Sequence, residues 1–364
     1  MPRPRRLPGA WLACFLGAPL LAGCARPVPS PRPTPAPPHP PVIVFTGDIL
    51  LAGRAERLIK QKGSAVPFAE VQPALQGADL AVGNLECSIS TRGEAADKRF
   101  TFRAGPNTVA ALSEAGFDVM TMANNHSVDY GRTALVDTLW ALRDAGIATV
   151  GAGENAERAR APIFVETGNP PLTIALLGFS NMKPTDFYSA RDRAGTNPAA
   201  PDAIRESISA ARRRADVVVA LFHWGDEQSG SPSQSQRQLA FAAADAGADL
   251  VVGHHPHVLQ GLARRGHAII AYSLGNFLFP SRGASKSTMI LRYEPQQDGR
   301  ARVEVIPCVI DDFQPRLANQ KERAACLRQL RRLSGRLGAT LPGPEGVIAV
   351  PPRGASVDKA RTPP

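Results

Sequence analysis

The run Val217-Val218-Val219-Ala220-Leu221-Phe222 stops at His223-Trp224-Gly225, and the chain then repeats the device. After a helical segment over 234–246 come Asp249-Leu250-Val251-Val252 and then Gly253-His254-His255-Pro256-His257. Short, β-branched apolar runs of this kind read as strands buried in a sheet, and a strand, helix, strand order with short connections reads as an α/β fold. Working outward, the same pattern predicts strands over 42–46, 78–83, 117–122, 172–179, 267–273, 289–293 and 302–307. Helices are predicted over 54–61, 107–115, 132–144, 201–213 and 321–337. Gly116 and Ala145-Gly146 close two of them, as a residue free to turn left-handed does at a helix end. No helical segment separates the last strands, so part of the sheet is expected to be antiparallel.

The ends of the chain read differently. Of the 364 residues, 43% are hydrophobic, and 42 Lys and Arg stand against 32 Asp and Glu for a formal charge of +10. That is a globular composition, not a disordered one. Many of the 34 Pro lie outside the body: nine of residues 26–41 are Pro, and the stretch after Gly338 is rich in Gly and Pro. The foldable body is therefore 42–337, one large domain or two fused ones, and 338–364 is expected to be a disordered tail. At the start, Arg3, Arg5 and Arg6 precede an apolar run over 11–23 that is too short to span a bilayer, and Leu21-Ala22-Gly23-Cys24 ends it.

That ending matches the lipobox of bacterial lipoproteins. It implies removal of the leader 1–23, acylation of Cys24, and an exported protein held at a membrane by several acyl chains. With Ala25 following, a Gram-negative host would sort it to the outer membrane. Residues 24–41 then form a tether, and polyproline II geometry over 27–41 would lift the body about 45 Å from the lipid. Of the five Cys, Cys14 leaves with the leader and Cys24 carries lipid. Cys87, Cys308 and Cys326 remain, and Cys308 with Cys326 is the expected pair if a disulfide forms. None of them has metal-site spacing.

The polar residues cluster where strands end. Asp48, Glu86, Asn124, Asn125, His126, His223, His254, His255 and His257 all follow apolar runs, and five of the seven His are among them. In open α/β sheets ligands sit outside the carboxyl ends of the strands. Carboxylate, imidazole and amide oxygen converging there are a divalent-cation donor set, or else a metal-free acid/base site. The Arg212-Arg213-Arg214 run ends a helix and reads as a solvated last turn, and Arg331-Arg332 lies on a helix with an apolar face. Aromatic residues are only 6% and the Arg are scattered, so nucleic-acid binding is a poor reading of the basic charge.

Nine ordered motifs carry a family resemblance. They are Gly47-Asp48; Gly83-Asn84-Leu85-Glu86; Phe102-Arg103; Ala115-Gly116-Phe117-Asp118; Ala123-Asn124-Asn125-His126 with Asp129-Tyr130-Gly131; Gly151-Ala152-Gly153; His223-Trp224-Gly225 with Glu227; the His254 to Gln260 stretch; and Ser273-Leu274-Gly275-Asn276-Phe277. Over 42–312 the chain resembles the CapA family of poly-gamma-glutamate capsule synthesis proteins, related to calcineurin-like metallophosphoesterases. The resemblance implies a metallophosphatase-like four-layer α/β sandwich, mixed β-sheets flanked by helices. It also implies a role in synthesis, export or retention of an anionic surface polymer.

Carried over residue by residue, the resemblance implies metal ligands at Asp48, Glu86, Asn125, His223, His255 and His257. The His that usually follows two positions after the first Asp is Leu50 here. One ion held by Glu86, Asn125, His223 and His255 is therefore expected ahead of a pair, with Asp48, Glu86 and His257 as the weaker set. Mn²⁺, Zn²⁺ or Fe²⁺ would lower the pKa of bound water to about 7 for attack on a phosphoester or an amide. His126 is implied as acid/base, with Asn124 beside it and Arg103 holding substrate anion, while Trp224, Glu227, His254 and Asn276 would line the pocket. The alternative is a non-catalytic polymer-binding accessory protein that works with capsule-synthesis membrane proteins.

Overall fold

The computed structural model describes residues 38–338 and 345–354; the leader, Cys24 and the Pro-rich segment up to Pro37 lie outside them. Two sheets hold fifteen strands among the described residues. These are β1 (Ile43–Ile49), β2 (Leu80–Leu85), β3 (Val119–Thr121), β4 (Ala148–Val150), β5 (Ile163–Thr167), β6 (Leu172–Ser180), β7 (Val217–His223) and β8 (Leu250–His254). They continue with β9 (Leu262–Arg265), β10 (Ala268–Ala271), β11 (Asn276–Leu278), β12 (Ser287–Pro295), β13 (Ala301–Asp311), β14 (Gln314–Leu317) and β15 (Val347–Val350). The first sheet runs β14-β13-β12-β1-β2-β3-β4, with β11 beside β1 and β15 beside β13; the second runs β9-β10-β8-β7-β6-β5.

In the first sheet β1 to β4 are mutually parallel, and β12, β13 and β14 are antiparallel. The central strands β6, β7, β8 and β10 of the second are parallel too. The helices are α1 (Arg54–Lys62), α2 (Gln72–Gln76), α3 (Val109–Ala115), α4 (Gly131–Asp144), α5 (Ala156–Arg160), α6 (Pro201–Arg212), α7 (Gln234–Asp245) and α8 (Gln320–Gly335).

Strand alternation sorts the side chains into three cores and so into four layers. Ile43, Phe45, Leu80, Val82 and Val119 of the first sheet meet Ile174, Leu176, Val217, Val219, Leu221, Leu250 and Val252 of the second. The opposite parity faces outward: Val44, Ala81 and Met120 pack with α1 to α4, and Ala175, Leu177, Val218, Ala220 and Phe222 pack with α6 and α7. The expected four-layer sandwich of mixed sheets is the observed one. Helix α8 contributes Leu327, Leu330 and Leu333 to the central core. It starts from a capping box in which Asn319 accepts from Glu322 N–H, and Glu322 accepts from Asn319 N–H.

Two expectations are corrected here. Part of the tail expected to be disordered is a strand: Val347–Val350 pairs antiparallel with β13, because Val347, Ile348 and Val350 supply apolar side chains that composition alone hides. Cys87, Cys308 and Cys326 are all buried free thiols. Cys308 faces the outer core and Cys326 the central one, so the expected bridge does not form, and burial pushes both thiols up to about 12.

Candidate metal centre

Every proposed ligand reaches one cleft because the parallel strands of both sheets end at the same rim. Asp48 gets there through a bulge. Phe45 pairs with Val82 but Asp48 with Asn84, so β1 carries one extra residue, and the slip turns Asp48 onto the inner face that Ile43 and Phe45 occupy. The bulge needs Gly47, since a Cβ there would lie 2.0 Å from Gly275 O. On β2 no bulge intervenes, and Asn84 and Glu86 follow Leu80 and Val82 on the inner face with period two. His223 continues the inner parity of Val219 and Leu221. After β8 the backbone turns through His255 at φ 94° and His257 at φ 57°. That left-handed conformation costs roughly 1–3 kcal/mol for a residue with a Cβ and is found where a side chain must be aimed.

At the centre Asp48 and Glu86 are completely buried. The Asn84 amide donates to Asp48 Oδ1 at 2.9 Å and to Glu86 Oε1 at 3.0 Å. Its own oxygen accepts from Asn124 Nδ2 at 3.0 Å, which fixes which way the amide faces. His223 Nε2 lies 2.8 Å from Asn125 Oδ1 and 3.6 Å from Glu86 Oε1. His257 Nδ1 lies 2.7 Å from Asn276 Oδ1 and 3.2 Å from Asp48 Oδ2. Both of those neighbours are acceptors, so the proton sits on Nδ1. Nε2 faces Glu86 Oε2 at 4.0 Å, where an ion would take the place of its proton.

The electrostatics call for a cation. Burial, then the charge of Asp48, pushes the Glu86 carboxyl well above the usual range. Burial would raise Asp48 too, but the hydrogen bond and charge of His257 hold it below that range. Burial lowers His223 well below its ordinary value and brings His255 down to about 3. On His257 burial is outweighed by Glu86 and Asp48, which bring it up to about 9. Glu86 Oε2 and His255 Nδ1 are buried and have no hydrogen-bond partner. Two buried carboxyls facing each other beside the neutral imidazole of His255, whose Nδ1 has no hydrogen-bond partner, are costly alone, and a divalent ion there would satisfy them. Among the described residues, two groups bring ligand atoms within 4.8 Å of one another: Asp48, Glu86 and His257; and Glu227, His255 and His257. The first is the set the resemblance ranked as weaker, and the second adds exposed Glu227 as a donor rather than a pocket wall.

Beside this centre His126 Nδ1 lies 2.8 Å from Asp129 Oδ2. Asp129 in turn accepts from Lys98 Nζ at 2.7 Å and from Phe102 N–H at 2.7 Å. Lys98 also donates to the Asn125 carbonyl at 2.6 Å. Burial lowers His126 against the pull of Asp129, so its neutral ring keeps one nitrogen held by Asp129 and leaves Nε2 free.

Several expected roles change. Asn124 is a buttress: it donates to Asn84 and to Leu85 O at 2.8 Å and accepts from His126 N–H and Ser127 Oγ. Arg103 is engaged elsewhere, donating to Arg92 O at 3.1 Å and Gly93 O at 3.0 Å and lying over the Tyr130 ring; Lys98 is the cation beside His126. Trp224 belongs to the outer core, with Nε1 donating to Tyr272 O at 2.9 Å. His254 Nε2 lies 3.0 Å from Thr46 O and joins the two sheets. Asn276 does stand at the site, as the residue that orients His257. Asn84, Lys98 and Asp129 were not among the expected site residues; for Asn84 the signal was there, two positions before Glu86 on one strand.

The layered fold and this rim of acids, imidazoles and amides define the class: a four-layer α/β protein with a candidate divalent-metal pocket. Residues 42–281 match the family described as Bacterial capsule synthesis protein PGA_cap, and the chain belongs to that family. It is 35% identical over 274 residues to the PGA biosynthesis protein CapA of Bacillus subtilis (strain 168), covering 74% of this chain and 72% of that one. To the Capsule biosynthesis protein CapA of Bacillus anthracis it is 33% identical over 300 residues, covering 80% and 72%. Among solved structures, the calcineurin-like phosphoesterase YfkN of Bacillus subtilis aligns over 78% of this chain and 89% of that one, with 14% identity and a TM-score of 0.40.

Proposed function

We propose that the protein is a membrane-anchored hydrolase that acts on an anionic surface polymer during its synthesis, export or retention. Asp48, Glu86, His257, His255 and Glu227, with His223 and Asn125 alongside, would hold the ion, of Mn²⁺, Zn²⁺ or Fe²⁺ type. A divalent ion there supplies a Lewis acid and lowers the pKa of water toward about 7. The observation that carries hydrolysis over mere binding is the His126–Asp129 pair. A binding pocket has no use for an imidazole whose tautomer is fixed by a buried carboxylate, itself held by Lys98 and a backbone N–H. Neutral His126 takes at Nε2 the proton that the attacking water loses, Asp129 stabilises the imidazolium, and the same proton passes to the departing oxygen or nitrogen.

The test is turnover of bis(p-nitrophenyl) phosphate and of an oligo-γ-glutamyl amide with each of the three ions. His126→Ala should slow whichever reaction occurs by about 10²- to 10⁴-fold while the ion stays bound. A wild type that binds the polymer but turns over neither substrate with any ion would leave the accessory-protein reading instead. Anchoring rests on Leu21-Ala22-Gly23-Cys24. Cys24→Ser should move the protein out of the membrane fraction, and a protein that stays there unlabelled by fatty acid would remove the lipid anchor.

A further inference from the structure

A second cavity, of about 550 Å³, opens beside the metal centre and is lined by Arg54, Gln228, Ser281, Arg282, Lys286 and Asp312 among others. Two of its walls connect to residues that shape the centre. Ser281 Oγ accepts from Asn276 Nδ2 at 2.8 Å, and Asn276 orients His257. Gln228 follows Glu227 in the chain, is held at φ 59°, and donates its N–H to Pro256 O at 2.8 Å. The charge is lopsided, three cations against one carboxylate. Arg54 is set in place by its pair with Asp312 and by the Phe313 ring 4.8 Å from its guanidinium. Arg282 and Lys286, at either end of a short turn, are exposed and have no carboxylate partner among the described residues.

We infer that this cavity is a subsite for a chain bearing one carboxylate per repeat, which it holds while an adjoining unit reaches the metal centre. The inference deepens the proposed function and rests on it for the polymer passing the centre. Singly charged, separately mounted cations suit single charges spaced along a chain. Arg54 already holds a carboxylate in Asp312, which an incoming polymer carboxylate replaces or joins. The Ser281 and Ser285 hydroxyls are committed within the protein, to Asn276 Nδ2 and Phe279 O and to the Arg282 backbone, so the Gln228 side-chain amide is the group that offers hydrogen bonds to a peptide-like backbone.

The probe is fluorescein-labelled oligo-γ-glutamate, titrated against the full-length protein in detergent and followed by anisotropy. The double variant Arg282→Glu/Lys286→Glu should bind it at least about tenfold more weakly, and both proteins should converge as salt rises. Arg282→Lys/Lys286→Arg should restore binding, which a folding defect would not allow. Any hydrolysis should show a raised KM and an unchanged kcat. Equal binding by the reversed variant, no binding by the wild type, or equal binding of inorganic polyphosphate would each overturn the carboxylate subsite. His223→Ala separates the two claims: loss of ion and turnover with oligoglutamate binding intact supports the subsite, whereas absent turnover in the wild type with charge-sensitive binding removes only the hydrolase.

Discussion

The amino-terminal end of β8 and the carboxyl-terminal ends of β1 and β2 hold buried acids of opposite character. At the amino-terminal end Asp249 is surrounded by donors. Oδ2 accepts from Arg212 and from Val218 N–H, both at 2.7 Å, and Oδ1 accepts from Arg353 Nε at 3.1 Å with His267 Nε2 also at 3.1 Å. Burial pushes its pKa up, but His267, Arg353, the Val218 amide and Arg212 together bring it below the ordinary value. At the carboxyl-terminal end Asp48 and Glu86 face each other and the imidazoles of His223 and His257, and Glu86 Oε2 has no hydrogen-bond partner. Burial of an acid therefore says little about its role. A full complement of donors marks a lock between elements, and here the lock ties α6, β7 and the segment after β15 together. Facing carboxyls with an orphaned lone pair are an arrangement that a cation satisfies.

Removing the lock should have the largest effect. Asp249→Ala leaves Arg212 partly buried and unpaired and should lower unfolding stability by about 3 kcal/mol, read by urea denaturation, with ion binding per folded chain unchanged. The opposite end should respond with the opposite sign: in metal-free protein at neutral pH, Glu86→Gln should raise stability by about 1 kcal/mol, because it removes a buried like charge. The pH profiles should divide in the same way. Asp249, with a depressed folded pKa, contributes stability above its unfolded pKa that is lost as pH falls through the folded one, and Asp249→Asn should flatten that acid limb. Glu86, with a raised folded pKa, contributes stability below its unfolded pKa that is lost as pH rises through the folded one. Adding Mn²⁺ or Zn²⁺ should cancel that loss in the wild type and do nothing for Glu86→Gln. The smallest effect is expected for Arg353→Ala, about 0.5–1 kcal/mol, since that side chain is 39% exposed. A loss as large as that of Asp249→Ala would mean the terminal segment, not the acid, is the lock.

The sequence made the layers and the rim legible for one reason: parallel strands buried on both faces are unbroken apolar runs, and the ligands come directly after them. Parity within those runs was also available. It separates His223, which shares a face with Leu221, from Trp224, which shares one with Phe222, and it would have put Trp224 in the outer core. Other features are set by contacts distant in sequence. Lys98 and Arg103 lie five positions apart in one loop, and only the folded path of that loop brings the first to Asp129 and turns the second toward Arg92. Cys308 and Cys326 lie only eighteen positions apart, on β13 and α8, yet opposite faces of the first sheet separate them. The β1 bulge, which aims Asp48 inward, is visible only in the register.

The central claim is that the rim acids are built for an ion and the opposite acid is not. Elemental analysis of chains purified without chelator and dialysed against Mn²⁺ or Zn²⁺ tests it directly. Close to one ion per wild-type chain is expected, the same in Asp249→Asn, and less than a tenth of that in Glu86→Ala. Equal metal content in Glu86→Ala and wild type, or a wild type that takes up no ion, would contradict it.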